Sequence, residues 1–211
     1  MRALCLLLLG VPIAATVAYA QTPIEPRIES RLLLQINRAR ANPAGYAEAL
    51  RLYRGYYQGR IVRIPGNPIG LITREGVVPV DDAIRFLRRQ PPLPPLAAAP
   101  ILARAAADHV AAQGRSGQQG HIGADGSRPG DRVRRRGGDV YVGEIISYGA
   151  ADAVAVLRQF VIDDDVPGRG HRTAVFSAHY RFAGIACGPH PRWRVMCVVD
   201  LSATADGRPP A

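Results

Sequence analysis

Apolar positions recur with a helical period near the start of the chain. In the stretch Pro26 to Arg40, Ile28, Leu32, Leu33 and Ile36 fall on one helical face. The proline at its opening suits a helix start, so a helix is predicted there. Asn42-Pro43 stops it, because the residue before a proline is pushed out of the helical region. A second, shorter helical run follows from Ala44 to Tyr56. Between Gly59 and Val80 the pattern shortens: Ile61-Val62-Arg63-Ile64 and Ile69-Gly70-Leu71-Ile72 flank Pro65-Gly66-Asn67-Pro68, which predicts a two-stranded excursion. Asp81 is expected to cap a helix over Asp82 to Arg89. Gln90-Pro91-Pro92-Leu93-Pro94-Pro95 then reads as a stiff polyproline-like connector, too short to separate independent domains.

Beyond the connector, Ala97 to Gly114 is alanine-dense, with Ile101, Leu102, Ala105, Ala106 and Val110 on one side, and predicts a buried helix ending at its glycine. A glycine- and arginine-rich loop comes next, then a strand over Tyr141 to Tyr148 and an amphipathic helix over Ala151 to Ile162. The last elements read as a β-hairpin, Phe182 to Cys187 and Trp193 to Leu201, around a Gly188-Pro189-His190-Pro191 turn. This order gives an α+β class, with a small antiparallel sheet that helices must cover on both faces. The sequence contains no internal repeat and no low-complexity segment.

The opening of the chain answers where it goes. Arg2 supplies a positive start, Ala3 to Val17 is almost unbroken apolar sequence, and Ala18-Tyr19-Ala20 is a small-x-small cleavage site. Residues 1–20 therefore read as a signal peptide cut before Gln21, and the protein is expected to be secreted or periplasmic. The apolar run is short for a membrane span, which needs about 20 residues. Cys5 leaves with this segment, so the mature chain keeps Cys187 and Cys197. In an oxidising compartment, one cysteine on each hairpin strand predicts a structural disulfide. The competing reading, a redox or metal pair, wants closer spacing or further sulfur ligands.

Net charge is +10, and all 27 basic residues are arginine. Together with abundant Ala, Gly and Pro, this usage matches the output of a GC-rich genome. The functional alternative is a polyanion partner, for which Arg132, Arg134, Arg135 and Arg136 form a tight cluster. No aromatic residues interleave that cluster as a strand-binding platform requires, so a solvated loop is expected and nucleic acid is not.

Candidate chemistry collects in a few places. Gly170-His171-Arg172 follows the acidic run Asp163-Asp164-Asp165, and both pair in principle with an earlier His121 and Glu144. Two neutral imidazoles and two carboxylates suit zinc. The plainer alternative has Glu144 pairing with an arginine, His171 bonding a loop and Arg172 facing solvent. His109, on the alanine-rich helix, is expected to be packed rather than ligating. The aspartate run lacks the alternating ligand spacing and glycine of a calcium loop.

Taken in order, Leu34-Gln35-Ile36-Asn37-Arg38-Ala39-Arg40, Pro92-Leu93-Pro94-Pro95-Leu96, Ala107-Asp108-His109, His121-Ile122-Gly123, Gly143-Glu144, Gly170-His171-Arg172 and Gly184-Ile185-Ala186 resemble the CAP superfamily. That group comprises cysteine-rich secretory, antigen 5 and pathogenesis-related proteins, and the resemblance is to its bacterial SCP-like extracellular members. It covers residues 26–202, with about 43–90 as an insertion and 203–211 as a disordered tail. It implies an α-β-α sandwich with a cleft lined by two histidines and two acids, often holding a divalent cation. By position, His121, Glu144 and His171 match family residues. Asp163 is the counterpart of the second acid because Phe160 stands where tryptophan is common, with Asp164 or Asp165 in its place if the helix ends differently. Ile145 replaces the usual asparagine.

The expected function is a monomeric, secreted, non-enzymatic binding module whose cleft takes a divalent cation, zinc first, and a small or lipidic ligand. One alternative is a metal-assisted hydrolase of peptides or cell-wall material with Glu144 as base; another is an arginine-mediated anchor on an anionic envelope surface. The chain carries no HExxH motif, no Gly-x-Ser-x-Gly elbow and no free catalytic cysteine.

Overall fold

In the computed structural model the described residues are 23–66 and 69–210. The expected signal peptide and Asn67-Pro68 of the expected turn lie outside them. Helix α1 (Ile28–Ala41) buries Ile28, Leu32 and Ile36 along the predicted face. Asn42 ends it and caps α2 (Pro43–Arg54), its side chain accepting from the Gly45 amide. The excursion is three-stranded rather than two-stranded: β1 (Tyr57–Gln58), β2 (Ile61–Val62) and β3 (Leu71–Ile72) pair antiparallel in that order.

Helix α3 (Val78–Arg89) starts earlier than predicted, with Pro79 in its first turn. Asp81 is therefore inside the helix rather than capping it, and it pairs with Arg54 at 2.5 Å. The connector is tied down by α1. Arg40 is buried, and its guanidinium donates to the carbonyls of Pro94, Val175, Ser177 and Tyr180. Asn37 exchanges two hydrogen bonds with the Leu96 backbone.

Ala97–Ala98 forms a short strand, β4, and helix α4 (Pro100–Ser116) begins after it, because Pro100 is pre-set for the first helical position. The helix runs past Gly114 and ends at Gly117, whose φ of 70° supplies the left-handed cap. Part of the predicted glycine- and arginine-rich loop is helical: α5 (Pro129–Arg135) opens on a proline, and the Asp131 carboxylate takes the Arg128 amide. β5 (Val142–Tyr148) and α6 (Ala153–Ile162) fall where predicted. A 3-10 turn, Pro167–Arg169, leads into the short α7 (Gly170–Val175).

The chain closes with β6 (Phe182–His190) and β7 (Arg194–Ser202). The hairpin turn lies further along than predicted, so Gly188 and Pro189 are in the strand. Proline is tolerated there because β6 has β4 beside it only at Phe182 and Ala183, which leaves Pro189 on an open edge. Cys187 and Cys197 face each other in register and are bonded. A cross-link over so short a loop contributes about 2–3 kcal/mol in the loop-entropy model.

The main sheet runs β4-β6-β7-β5, antiparallel except for the parallel β4–β6 pair. Alternation along β5 and β7 sorts its faces. Ile145, Cys197, Val199 and Leu201 join the core under α1, α3 and α6. Ile146, Met196 and Val198 pack with Ala106 and Val110 of α4. Helices thus cover both faces, and β5 is an edge strand between the two layers. The segment after β7, expected as a disordered tail, bonds back onto the body: the amides of Asp139 and Tyr141 donate to the carbonyls of Asp206 and Gly207. Among the described residues no helix is long and apolar enough to cross a membrane.

Candidate functional site

Glu144 sits on β5 with its side chain on the α4 face, 1 % exposed. One of its oxygens meets His121 Nδ1 at 2.9 Å, and the other accepts from Arg132 Nη2 at 2.6 Å. A carboxylate only accepts, so Nδ1 of His121 donates, and in the neutral ring Nε2 is the nitrogen with the free lone pair. The His121 side chain is 49 % exposed. Arg132 is buried and also donates to the carbonyls of His121 and Ser127, so a single guanidinium fixes both the acid and the loop bearing its histidine.

Further bonds hold that loop from below. His109 Nε2 donates to the Gly120 carbonyl at 2.8 Å, Gln113 donates to the same carbonyl at 2.7 Å, and the Tyr148 hydroxyl accepts from the Gly120 amide at 2.9 Å while donating to Gln113 at 2.7 Å. His109 is packed, as expected, and burial lowers its pKa, which favours the neutral ring. Directly across from Glu144 on β7 lies Asp200, fully buried. Burial and then the Glu144 charge push its carboxyl well above the usual range, against a smaller pull from Arg132. Both Asp200 oxygens, Arg132 Nε and His109 Nδ1 have no hydrogen-bond partner among the described residues.

The second pair belongs to the opposite layer. Asp163 ends α6 in the left-handed conformation, φ 60°, which Asp tolerates. That turn swings its carboxylate beneath α7. Oδ1 meets His171 Nδ1 at 2.6 Å, and Oδ2 accepts the amides of His171 at 2.8 Å and Arg172 at 3.2 Å. Nε2 of His171 is again the nitrogen left over, and the ring lies 5.6 Å from Phe160. Arg172 does not face solvent: it is buried, donates to the carbonyls of Val161, Ile162 and Pro79, and pairs with Asp82. Asp164 and Asp165 do other work. The Asp164 carboxylate takes the amides of Arg74 and Glu75, and the Asp165 amide donates to Glu75. The insertion is thereby stitched to the acidic run.

The four sequence-derived residues therefore form two histidine–carboxylate pairs on either side of the edge strand β5, which also touches α7. Both carboxylates have their oxygens engaged, as groups that orient imidazoles do. Among the described residues no cluster of three or more His, Cys, Asp or Glu side chains is placed to hold a metal ion. The donor that remains in each pair is an imidazole Nε2 whose ring is oriented by a buried carboxylate. An open cleft of about 440 Å³ lies beside the first pair, lined by His109 and Arg132 with Asp108, Arg115, Asp125 and Arg135; none of the four residues lines it.

The sequence reading missed Arg132 and Asp200. A lone aspartate in Val198-Val199-Asp200-Leu201 was the available signal for the second; the first was hidden in an arginine cluster expected to be solvated. That cluster lies on and beside α5 and is largely neutralised, with Arg132 on Glu144, Arg135 on Asp125 at 2.7 Å and Arg136 on Asp108.

The chain resembles three solved structures: an extracellular protein containing a SCP domain from Bacillus anthracis (22 % identity over 57 % of this chain, TM-score 0.44), an outer surface protein from Borrelia burgdorferi (16 %, 68 % of this chain and 97 % of that one, 0.44), and a cysteine-rich secretory protein from Staphylococcus aureus (15 %, 67 % and 40 %, 0.35). It spans 37 % of the length of the Bacillus protein. No curated protein matches the chain. The family model "CAP: Cysteine-rich secretory protein family" matches residues 82–201, more than half of the chain and the whole segment carrying both pairs. The chain belongs to the cysteine-rich secretory protein (CAP) family.

Proposed function

We propose that this is an exported CAP-domain binding module in which His121 and His171 present Nε2 to a divalent cation, zinc by donor chemistry. The observation that carries the reading is the locking of each Nδ1 onto a buried carboxylate, 2.9 Å for Glu144 and 2.6 Å for Asp163, which fixes the tautomer a metal ligand needs. Glu144 and Asp163 are thus orienting groups rather than ligands. A bound zinc supplies a Lewis acid able to take an anionic or carbonyl oxygen of a ligand. Arg132 and the Gly120 network hold His121 in place, and the Asp163 turn holds His171. Export follows from the apolar opening of the sequence and agrees with a disulfide in the hairpin.

Binding is preferred to hydrolysis because a general base needs a carboxylate oxygen that reaches water. Glu144 is 1 % exposed, with both oxygens committed.

The test is zinc titration with metal analysis of the disulfide-bonded protein beside a His121→Ala/His171→Ala variant. Binding in the native protein and at least about tenfold weaker binding in the variant is expected, since lost ligands remove most of the affinity. Equal binding by both, or none by the native protein, overturns the reading.

A further inference from the structure

The small sheet β1–β3 stands apart in its chemistry. Between Tyr57 and Arg74 the sequence has three arginines, Arg60, Arg63 and Arg74, and no aspartate or glutamate. Several other arginines are paired with acids, as in Arg54–Asp81, Arg135–Asp125 and Arg169–Glu75. Here Arg60 donates to the Thr73 carbonyl and Arg63 to Gln58, both neutral, and none of the three has an acidic partner among the described residues. Their side chains therefore make no ion pair among the described residues, although Glu75 and Asp164 lie at the base of the sheet, where the Asp164 carboxylate accepts the Arg74 and Glu75 amides.

The same sheet exposes aliphatic side chains. Val62 and Thr73 are buried and root it in the body, whereas Ile69, Leu71 and Ile72 are 72 %, 54 % and 79 % exposed. Leu71 and Ile72 are successive strand residues that point to opposite faces, so neither face of β3 is covered. β3 is also an edge of its sheet. Adjacent exposed aliphatics on an edge strand are a liability unless they have a use. Aliphatic side chains set among guanidiniums without an ion pair match a surface that is apolar inside and negative outside, as an anionic bilayer is.

We propose that the β1–β3 sheet is a membrane-surface contact: Leu71 and Ile72, with Ile69, enter the headgroup boundary of an anionic lipid layer while Arg60, Arg63 and Arg74 meet lipid phosphates. The backbone of Arg74 and Glu75 is bonded to Asp164, next to the Asp163–His171 pair, so this contact presents the second half of the candidate site at a fixed offset from the lipid.

The experiment is co-sedimentation of the full, disulfide-bonded protein with mixed phosphatidylglycerol–phosphatidylcholine vesicles and with phosphatidylcholine vesicles. The variants are Leu71→Ser/Ile72→Ser, Arg63→Gln/Arg74→Gln, and the charge-matched control Arg85→Gln/Arg88→Gln on α3, all at exposed positions and checked for unchanged thermal melting. Native protein and control should bind the anionic vesicles alike, and each sheet variant should lose at least about tenfold, as expected when apolar insertion and phosphate pairing act together. Absence of native binding overturns the proposal, as does equal binding to neutral vesicles. So does a control that loses as much as the sheet arginine variant, which would mark diffuse charge attraction.

Discussion

Glu144 and Asp200 face each other directly across β5 and β7, two acidic side chains on one buried face with Arg132 as the cation beside them. Burial first, and then the neighbouring Glu144 carboxylate, oppose ionisation of Asp200, against a smaller pull from Arg132. Asp200 keeps its proton to higher pH in the folded protein than in the unfolded chain. Its folded pKa is raised, so its contribution favours folding at low pH and is lost as pH rises from about 3.9 through the folded value.

Asp200→Asn should therefore stabilise the protein near neutrality, because the amide takes up no proton on folding. The gain should shrink to nothing towards pH 4. Urea unfolding of both proteins across that range measures it; a gain independent of pH would contradict the assignment of the proton to Asp200.

Gly184 lies where α4 crosses β6. A Cβ added there would run into the backbone of Leu102 and Ala103, which cannot swing aside as a long side chain does. Gly184→Ala is expected to cost about 3 kcal/mol or more by forcing the helix off the sheet. A thermal melt within a degree or two of the native protein would show that the two layers are looser than this packing implies.

Glu75 joins the insertion to the acidic run through Arg169, whose guanidinium, followed by the Asp165 amide, brings its carboxyl down to about 2. Because the folded value is depressed, this bond contributes above about pH 4.5 and its contribution fades as pH falls towards 2. The pair is partly solvated, so Glu75→Gln should cost under about 1 kcal/mol at neutral pH. The difference between the two stability curves should close in acid, as denaturant titrations at pH 7 and pH 3 can establish.

The elements with strong periodicity were legible in the sequence. α1 is written in Ile28, Leu32 and Ile36, and the terminal hairpin in its β-branched strands and paired cysteines. The histidine–acid partnerships were legible too, through the order of short motifs, and of the three consecutive aspartates it is Asp163 that reaches His171. What stayed hidden depends on contacts distant in sequence. α5 and α7 are too short to show a helical period, and consecutive arginines read as surface until Arg132 is seen beneath Glu144. Pro189 looked like a turn residue because nothing in the sequence says which edge of β6 is left unpaired. Composition alone does not show that each carboxylate is bonded to its histidine's Nδ1, a contact visible only in the folded chain.

The reach of Arg40 bears on what counts as the unit of this protein. Similarity to the family begins at residue 82, yet a guanidinium far upstream of that point satisfies carbonyls at Pro94, Val175, Ser177 and Tyr180. A fragment cut to the matched boundary would leave those oxygens without their shared donor, in the connector before α4 and at the end of α7 and just after it. The border drawn by resemblance is therefore not a border of self-sufficiency: α1 is a strut for the site's own scaffold, and excising the recognisable part would remove its support.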